Sequence, residues 1–414
     1  MVPSAPALPL WAGRSLALIG ICLVAFNLRT AVTAISPIAD SISQDIPLGN
    51  LELSLIGMVP PIAFALAGIF GASLARRLGL ERFLVISIAV MTVGHLVRAI
   101  GGDFAAFFAG SVLALLGAGV GNVLLPPLVK RYFPDRIGLV TALYVTLVSV
   151  STAAPAAAAA PIAHSMGWRY SLGLWMIVAL ISLPPWVGVL LARRRERSRL
   201  PDAAALPEVS ALVGQIWHSP TAWVVAMAFS MSSFNAYSMF AWLPEILIET
   251  AGQSPFEAGA ALSYYAALGI PFSLLAPIAG ARMRNVGLLL QGGALFIALG
   301  AAGLLLAPAA APWLWVTFSG IGQITFPVCL VLINIRSRTP IGSVSLSGFA
   351  QGLGYTVAAS GPLLIGVFFE VTGSWVPAYL LLFASCVVFA VTGYLLRKPR
   401  YVEDDLQLRL TRLG

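Results

Sequence analysis

Charged residues are scarce in this chain of 414 residues. Asp, Glu, Lys and Arg together make up 10% of it, whereas hydrophobic residues make up 59%. Soluble globular domains carry about 25% charged residues. A chain with so little charge lacks the side chains to cover a water-exposed surface, which excludes a soluble protein. The apolar residues also extend along the whole chain, which excludes a single membrane anchor on a soluble domain.

The residue types that catalysis and metal binding use most are also few, with 3 histidines and 3 cysteines. They show neither the spacing of a zinc site nor that of a redox pair. The chain contains no HExxH, GxSxG or Walker phosphate-binding motif. We therefore expect no enzyme activity, no metal site, no cofactor and no ATP hydrolysis by this chain.

What the chain does contain is a series of long apolar segments. Each is long enough for a membrane-spanning helix, which needs roughly 20 residues. They exceed the length of barrel strands and lack alternating polarity. The sequence thus predicts an all-α integral membrane protein with twelve transmembrane helices. The segments are 15–43, 51–75, 83–101, 104–130, 137–164, 169–192, 220–249, 257–281, 286–307, 312–335, 342–370 and 375–396.

The basic residues predict the orientation. A net charge of +8 would suggest a nucleic-acid partner for a soluble protein, but basic residues beside membrane spans mark cytoplasmic loops. With the N-terminus inside, 21 of the 24 Lys and Arg residues lie on the cytoplasmic side. Arg98 and Arg169 fall on the outer side, and Arg29 lies within the first span. We expect a multi-pass protein of the inner membrane, surrounded by lipid, with both termini cytoplasmic and no nucleic-acid partner.

A polar stretch at 193–219 divides the chain into two parts of six spans each. Its Pro, Ser and charged residues predict a cytoplasmic linker. We expect one six-helix bundle over residues 1–192, a second over 220–396 and a cytoplasmic tail over 397–414.

The two halves share a short repeat. Residues 119–126, GVGNVLLP, align with residues 320–327, GIGQITFP. Transporter folds are often built from such internal repeats. Glycine and proline at matched positions of two spans suggest hinge or close-packing sites. We predict a gating role for Gly121, Pro126, Gly322 and Pro327.

Arg29 stands mid-way along the first span, in NLRTAVTAISPIAD, residues 27–40. An arginine at the membrane centre costs about 2.5–3.5 kcal/mol on insertion scales, so it should face protein or water. Helical spacing puts Thr33, Ser36 and Asp40 on the same face. No acidic residue is expected at the depth of Arg29. Either a substrate supplies its negative partner, or Arg29 bonds the carbonyls of a helix kink.

Neutral polar and aromatic side chains recur in other spans. Such residues also join helices by hydrogen bonds, so each is either a substrate contact or a link between helices. Together with Arg29 they predict a cavity for a small, planar or anionic solute. The candidate substrate-binding residues are Asn27, Arg29, Thr33, Asn122, Tyr144, Tyr237, Tyr265, Gln323, Gln351 and Tyr355.

Between the second and third spans, residues 71–83, GASLARRLGLERF, resemble the cytoplasmic loop signature of the major facilitator superfamily. The usual Asp is replaced by Ala75, and Glu81 stands at a position that is usually basic. The resemblance implies a gating role for the matching residues. These are Gly71, Arg76, Gly79 and Arg82.

Three further stretches are similar to the cyanate and 2-nitroimidazole permease branch of that superfamily. They are NLRTAVTAISPI (27–38), GNVLLPPLVKRYFPDRIGLVTALY (121–144) and FAWLPEIL (240–247). The resemblance implies a single-chain, twelve-helix carrier with the major facilitator fold. Its solute would be a small anion or a small heteroaromatic compound.

We therefore expect a secondary active or facilitative carrier that works by alternating access on a cyanate-like or nitroimidazole-like solute. A drug or xenobiotic efflux carrier is the alternative within this class, although residues 153–161, AAPAAAAAP, lack the glycines of the drug-antiporter signature. A non-transporting membrane sensor or receptor is the alternative from another class. The identity of the substrate, the direction of transport and a role for protons stay open. We expect a monomer.

Overall fold

The computed structural model describes residues 14–48, 50–199 and 215–413, and every regular element in these ranges is helical. In the first half the elements include one 3₁₀ turn, Ser36–Ile38. The α-helices there are α1 (Ser15–Asn27), α2 (Thr30–Thr33), α3 (Ala39–Ser43), α4 (Asn50–Leu78), α5 (Leu80–Ile100), α6 (Phe104–Tyr132), α7 (Ile137–Met166), α8 (Trp168–Ile181) and α9 (Leu183–Arg199).

The second half has 3₁₀ turns at Ile216–His218 and Gly322–Ile324. Its α-helices are α10 (Pro220–Ala251), α11 (Pro255–Arg282), α12 (Gly287–Leu306), α13 (Pro312–Ile321), α14 (Thr325–Ile335), α15 (Pro340–Thr372), α16 (Val376–Leu395) and α17 (Val402–Leu413).

Twelve segments in the described ranges are long and apolar enough to cross a membrane. This confirms the prediction of twelve spans. The bounds agree within a few residues, except that the first span, predicted to end at residue 43, ends at Thr33, where the chain continues into a 3₁₀ turn and the short helix α3. The fourth span, for example, was predicted at 104–130 and is observed at Phe104–Tyr132. The first, sixth and tenth spans are each built from two α-helices with a break between them.

The chain divides into two compact units. Unit 1 comprises Met1–Gly214 and Thr339–Gly348, and unit 2 comprises Gln215–Arg338 and Phe349–Gly414. The start of α15 thus belongs to unit 1 and the remainder to unit 2. Residues 200–214 of the predicted linker lie outside the described residues, so the linker stays a prediction.

Glycine brings the third and fourth spans of unit 1 into backbone contact. A methyl group added at Gly94 in α5 would lie 2.3 Å from the backbone nitrogen of Ala114 in α6. The ninth and tenth spans of unit 2 approach in the same way. A methyl group at Gly300 in α12 would lie 2.8 Å from the backbone nitrogen of Ser319 in α13. Close packing of this kind replaces the hydrophobic effect as the force that holds helices together in lipid.

The predicted tail, residues 397–414, contains the helix α17. Three consecutive acidic residues in its first turn bond to other elements of unit 2. Glu403 accepts a hydrogen bond from the Arg338 backbone nitrogen at 2.9 Å. Asp404 accepts two from the Arg338 guanidinium, both 2.8 Å long. Asp405 accepts from Ser219 at the start of α10, where a negative charge is favoured by the helix dipole.

We predict that Asp405→Ala destabilises the protein more than Asp404→Ala. Asp405 accepts from Ser219 Oγ (2.6 Å) and from the Thr221 backbone nitrogen (3.0 Å), and hydrogen bonds to charged groups are worth about 1.5–3 kcal/mol. Asp404 forms an exposed pair with Arg338, of a kind worth about 0–1 kcal/mol. Thermal unfolding of the purified full-length variants measures the difference, and an equal fall in Tm would contradict the prediction.

Candidate functional site

The first span is interrupted in the middle. Helix α1 ends at Asn27 and α2 begins at Thr30, with Leu28 and Arg29 between them. The Thr30 hydroxyl donates to the Asn27 carbonyl oxygen at 2.9 Å. Side chains that bond the backbone locally compete with continuation of the helix. The run Asn-Leu-Arg-Thr therefore supports a turn inside the span.

Arg29 is half-buried at this break, and its Cζ lies 5.0 Å from the centroid of the Phe64 ring in α4. The ring face attracts the guanidinium, which offsets part of the cost of an arginine inside a span. Thr33 donates from Oγ1 to the Arg29 carbonyl oxygen at 3.2 Å. The side chains of Ser36 and Asp40, predicted on the same face, lie outside the described residues.

Asn27 is fully buried, and its side chain joins the first span to the sixth. Its amide nitrogen donates to the carbonyl oxygens of Leu23 in α1 (2.8 Å) and Val178 in α8 (3.3 Å). The structure thus gives Asn27 a role in holding helices together. Its role as a substrate contact stays a prediction.

Two glycines of the repeat bring α6 against the break. A methyl group at Gly121 would lie 2.8 Å from Leu28 Cδ2. One at Gly119 would lie 3.0 Å from Phe64 Cδ1. The absence of side chains at these positions sets where Leu28 and Phe64 lie, and these residues are neighbours of Arg29 in the chain and in space.

The remaining candidates of unit 1 lie in α6 and α7. Asn122 is half-buried, and Pro126 is buried one turn further along α6. Tyr144 is buried in α7, and α7 packs against both α1 and α2. The structure therefore places these residues in the same helix group as the break, and their roles in binding or gating stay predictions.

The loop signature lies where α4 ends and α5 begins. Gly79 joins the two helices with a φ of 83°, a left-handed conformation that glycine adopts at little cost. Arg76 donates to the Ser345 hydroxyl at 3.3 Å. Arg82 is exposed, and a methyl group added at Gly71 would make ordinary van der Waals contact with Val123. The gating role of these residues is not tested by the geometry and stays a prediction.

Glu81 is a member of this loop whose role sequence reasoning missed. Its buried carboxylate accepts a hydrogen bond from the Tyr132 hydroxyl at 2.7 Å. It also lies 3.1 Å from Arg193 Nη1 and 3.4 Å from Arg131 Nη1. One acidic residue thus joins the ends of the third, fourth and sixth spans. The excess of basic residues at those three helix ends was the sequence signal from which an acidic partner could have been predicted.

The aromatic candidates of unit 2 form two groups. Tyr355 meets Phe229 and Tyr237 edge-on, with ring centroids 5.4 Å and 6.5 Å apart. Tyr265 meets Phe240 in the same way at 5.5 Å. Edge-to-face pairs are a favourable arrangement of aromatic rings. Gln351 is fully buried in α15, one turn before Tyr355.

Gln323 lies in the 3₁₀ turn that breaks the tenth span, and it joins this turn to α11. Its Nε2 donates to the Tyr265 carbonyl oxygen at 2.6 Å. Gly322 begins the turn, and Pro327 is buried in the first turn of α14. The repeat partner Asn122 lies in an unbroken helix. The two halves thus share the sequence repeat but not the local backbone at this position.

Arg98 lies near the end of the third span. It is fully buried within α5, with 0% of its surface exposed, and its place on the outer side of the membrane stays a prediction. Its Nη1 donates to the Ala31 carbonyl oxygen in α2 at 2.8 Å. The sequence did not predict this burial or this bond, because a position near the end of a span does not reveal which neighbours a long side chain reaches. In the described ranges no group of three or more His, Cys, Asp or Glu side chains is arranged to hold a metal.

The sequence profile described as Major Facilitator Superfamily matches residues 18–357. The chain is 32% identical to the uncharacterized transporter YycB of Bacillus subtilis, over 94% of this chain and 95% of that protein. It is 31% identical to the 2-nitroimidazole transporter of Escherichia coli, over 87% and 90%. It is 26% identical to the cyanate transport protein CynX of Escherichia coli, over 90% and 94%.

The fold is similar to that of a solved Major Facilitator Superfamily transporter, FucP. The TM-score is 0.73 at 13% sequence identity, over 92% of this chain and 98% of that one. At this identity the likeness concerns the fold alone.

We predict that Gly121→Leu impairs transport more than folding. The introduced leucine side chain would displace Leu28, the residue before Arg29, because even a methyl group at Gly121 would lie 2.8 Å from Leu28 Cδ2. Overpacking of this kind costs about 1–3 kcal/mol of folding stability. Gly57→Leu is the matched control, because a methyl group there meets nothing within 4 Å. Transport in liposomes and thermal unfolding measure the two effects. Normal transport by a normally produced Gly121→Leu protein would contradict the prediction.

Proposed function

The chain belongs to the Major Facilitator Superfamily and is a transporter, not an enzyme, and we propose that it moves a small anion or a small polar heteroaromatic solute. The proposed mechanism is alternating access, by secondary active or facilitated transport. Two relatives are named for 2-nitroimidazole and for cyanate. Because both units lie in one chain, we propose that a monomer in the lipid bilayer suffices for transport.

The observation that carries this proposal is the placement of Arg29. It lies at an interruption of a membrane span, half-buried, with its guanidinium over an aromatic ring. The flat face of a guanidinium can stack on an aromatic ring. The N–H donors at the edge of the guanidinium can still point toward a carboxylate-like or nitro group. In an apolar surrounding such a charge-assisted bond is stronger than in water. Arg29 therefore suits a solute with a negative or electron-rich planar group.

In unit 2 the proposal gives a solute-contacting role to aromatic and amide side chains. Rings offer faces and edges to a heteroaromatic solute, and amide groups offer both donors and acceptors. The edge-to-face contacts of Tyr355 and the bond from Gln323 to the Tyr265 backbone hold these groups in defined positions. The residues are Tyr237, Tyr265, Gln323, Gln351 and Tyr355.

We further propose that the protein lies in the inner membrane with both termini and residues 193–219 in the cytoplasm. The basic residues support this orientation. Burial of Arg98 leaves Arg169 as the exposed basic residue that this orientation puts outside, and Arg169 pairs with Asp45. On the proposed cytoplasmic side, hydrogen bonding to Arg14 holds the pKa of Asp135 below its usual value.

We predict that Arg29→Ala weakens solute binding about tenfold to a hundredfold, because a charge-assisted hydrogen bond is worth about 1.5–3 kcal/mol. Arg29→Lys should bind weakly if the contact is bidentate. Arg77→Ala, which removes an exposed arginine at the end of α4, is the control and should bind normally. Titrations with 2-nitroimidazole and with cyanate, beside thermal unfolding of the same proteins, measure the effects.

If Arg29 only supports the helix break, Arg29→Ala should lose stability first, and the folded protein that remains should bind with near-normal affinity. Normal affinity in folded Arg29→Ala would remove Arg29 from the site.

We predict that a cysteine at Gly102 is labelled from outside intact cells and that one at Ala204 is not. Gly102 is exposed after α5, and a side chain there meets nothing within 4 Å, whereas Ala204 lies in the linker proposed to be cytoplasmic. The background is a protein in which Cys22, Cys329 and Cys386 are replaced. Labelling of position 204 by a membrane-impermeant maleimide would overturn the proposed orientation.

A further inference from the structure

Arg98 is a buried arginine outside the group of residues proposed to contact the solute. It lies in α5 with 0% of its surface exposed. No carboxylate pairs with it among the residues that the structure describes. Its guanidinium instead bonds the Ala31 carbonyl oxygen (2.8 Å) and the His95 ring (3.1 Å). A buried charge must be compensated by hydrogen bonds, so these two bonds define its position.

The first of the two acceptors lies in the interrupted first span. Ala31 belongs to α2, a helix of only four residues that directly follows the break at Arg29. A single helical turn is not stable by itself, because nucleation fixes several residues for one hydrogen bond. Contacts from outside must therefore hold α2 in place. The bond from Arg98 supplies one, and it ends two residues from Arg29.

The second acceptor fixes the direction of the guanidinium. Arginine has donors and no acceptor, so the His95 Nδ1 atom must accept. His95 is then a neutral imidazole with its proton on Nε2. His95 is fully buried and lies one turn before Arg98 on the same helix. It therefore holds one arm of the guanidinium while the other arm bonds Ala31.

The backbone that carries Arg98 is itself closely packed. A methyl group at Gly110 in α6 would lie 2.6 Å from the Arg98 backbone nitrogen. The backbone of α6 therefore packs directly against the backbone of α5 at Arg98. This makes Arg98 part of a closely packed region of unit 1. Its side chain extends from there to the short, interrupted segment that carries Arg29.

We propose that Arg98 is a positioning residue for transport: it holds α2, and thereby sets the position of Arg29, while His95 orients the Arg98 guanidinium. That Arg98 holds α2 is inferred from the hydrogen bonds of Arg98 to Ala31 and His95 alone. The part that concerns solute binding rests on the function proposed above for Arg29.

The test places a reporter cysteine at Val32, which is half-buried in α2, in the full-length protein lacking its native cysteines. Arg98→Met should raise the alkylation rate at position 32 about tenfold, the change expected when a charge-assisted bond is lost. Arg98→Lys keeps the charge and one donor and should restore most of the original rate. His95→Phe should raise the rate by a smaller factor.

Two controls separate positioning from general loosening. A cysteine at Val112, half-buried in α6, should be alkylated at an unchanged rate in every variant. Arg169→Met removes an exposed arginine at the start of α8 and should leave position 32 unchanged. If Arg98→Met fails to fold, Arg98→Lys and His95→Phe carry the test. An unchanged rate at position 32 in the folded variants, or an equal rise at position 112, would overturn the inference.

Binding of 2-nitroimidazole to the same proteins tests the second part. Affinity should fall about tenfold to a hundredfold in Arg98→Met and recover in Arg98→Lys. If position 32 responds as expected but Arg29→Ala binds 2-nitroimidazole normally, Arg98 positions α2 and the proposed role of Arg29 is wrong. If position 32 does not respond while Arg29→Ala loses binding, the role of Arg29 stands and that of Arg98 is wrong.

Discussion

The apolar membrane interior requires a partner for every backbone N–H and C=O group, and a helix can be interrupted there only where the protein supplies one. The three interrupted spans meet this requirement in the same way. At each break a hydroxyl group, from Thr30, Ser182 or Thr325, donates to the carbonyl oxygen three residues earlier, at 2.9, 2.5 and 3.1 Å. The candidate site residues Arg29 and Gln323 lie in two of these breaks.

Close glycine contacts hold the helices beside the breaks. A methyl group at Gly121 would meet Leu28 in the first break at 2.8 Å, and one at Gly293 would meet Thr325 in the third at 2.5 Å. The first and third breaks therefore each lie against a glycine of a neighbouring helix, which leaves them little room. A change in the position of these neighbouring helices would act directly on the break. This couples helix packing to the residues proposed to bind the solute.

The number of the spans and the bounds of all but the first could be predicted because they depend on composition summed over about twenty residues, which lipid imposes without reference to neighbours. The breaks could not, because the signal for each is one hydroxyl group that bonds the carbonyl oxygen three residues earlier, and Ser87 makes the same bond inside the unbroken helix α5. The burial of Arg98 could not be predicted for a different reason: position in the sequence locates its Cα, whereas its guanidinium reaches toward α2. The candidate site residues of α6 could be found from the sequence repeat. That Gly119 lies against Phe64 could be learned only from the folded structure, because the two residues lie on different helices.

Arg29 and Arg98 face the same cost of placing a charge in a membrane span. Arg98 has no exposed surface and bonds a carbonyl oxygen and an imidazole nitrogen of the protein. It therefore cannot meet a solute unless these bonds are broken. Arg29 keeps part of its surface exposed and lies over a ring that contributes its face. A ring face, unlike a carbonyl oxygen, stabilises the charge without accepting a directed hydrogen bond from an N–H group. The pairing with Phe64 is therefore compatible with a guanidinium that exchanges its hydrogen-bonding partners, as a transport cycle requires.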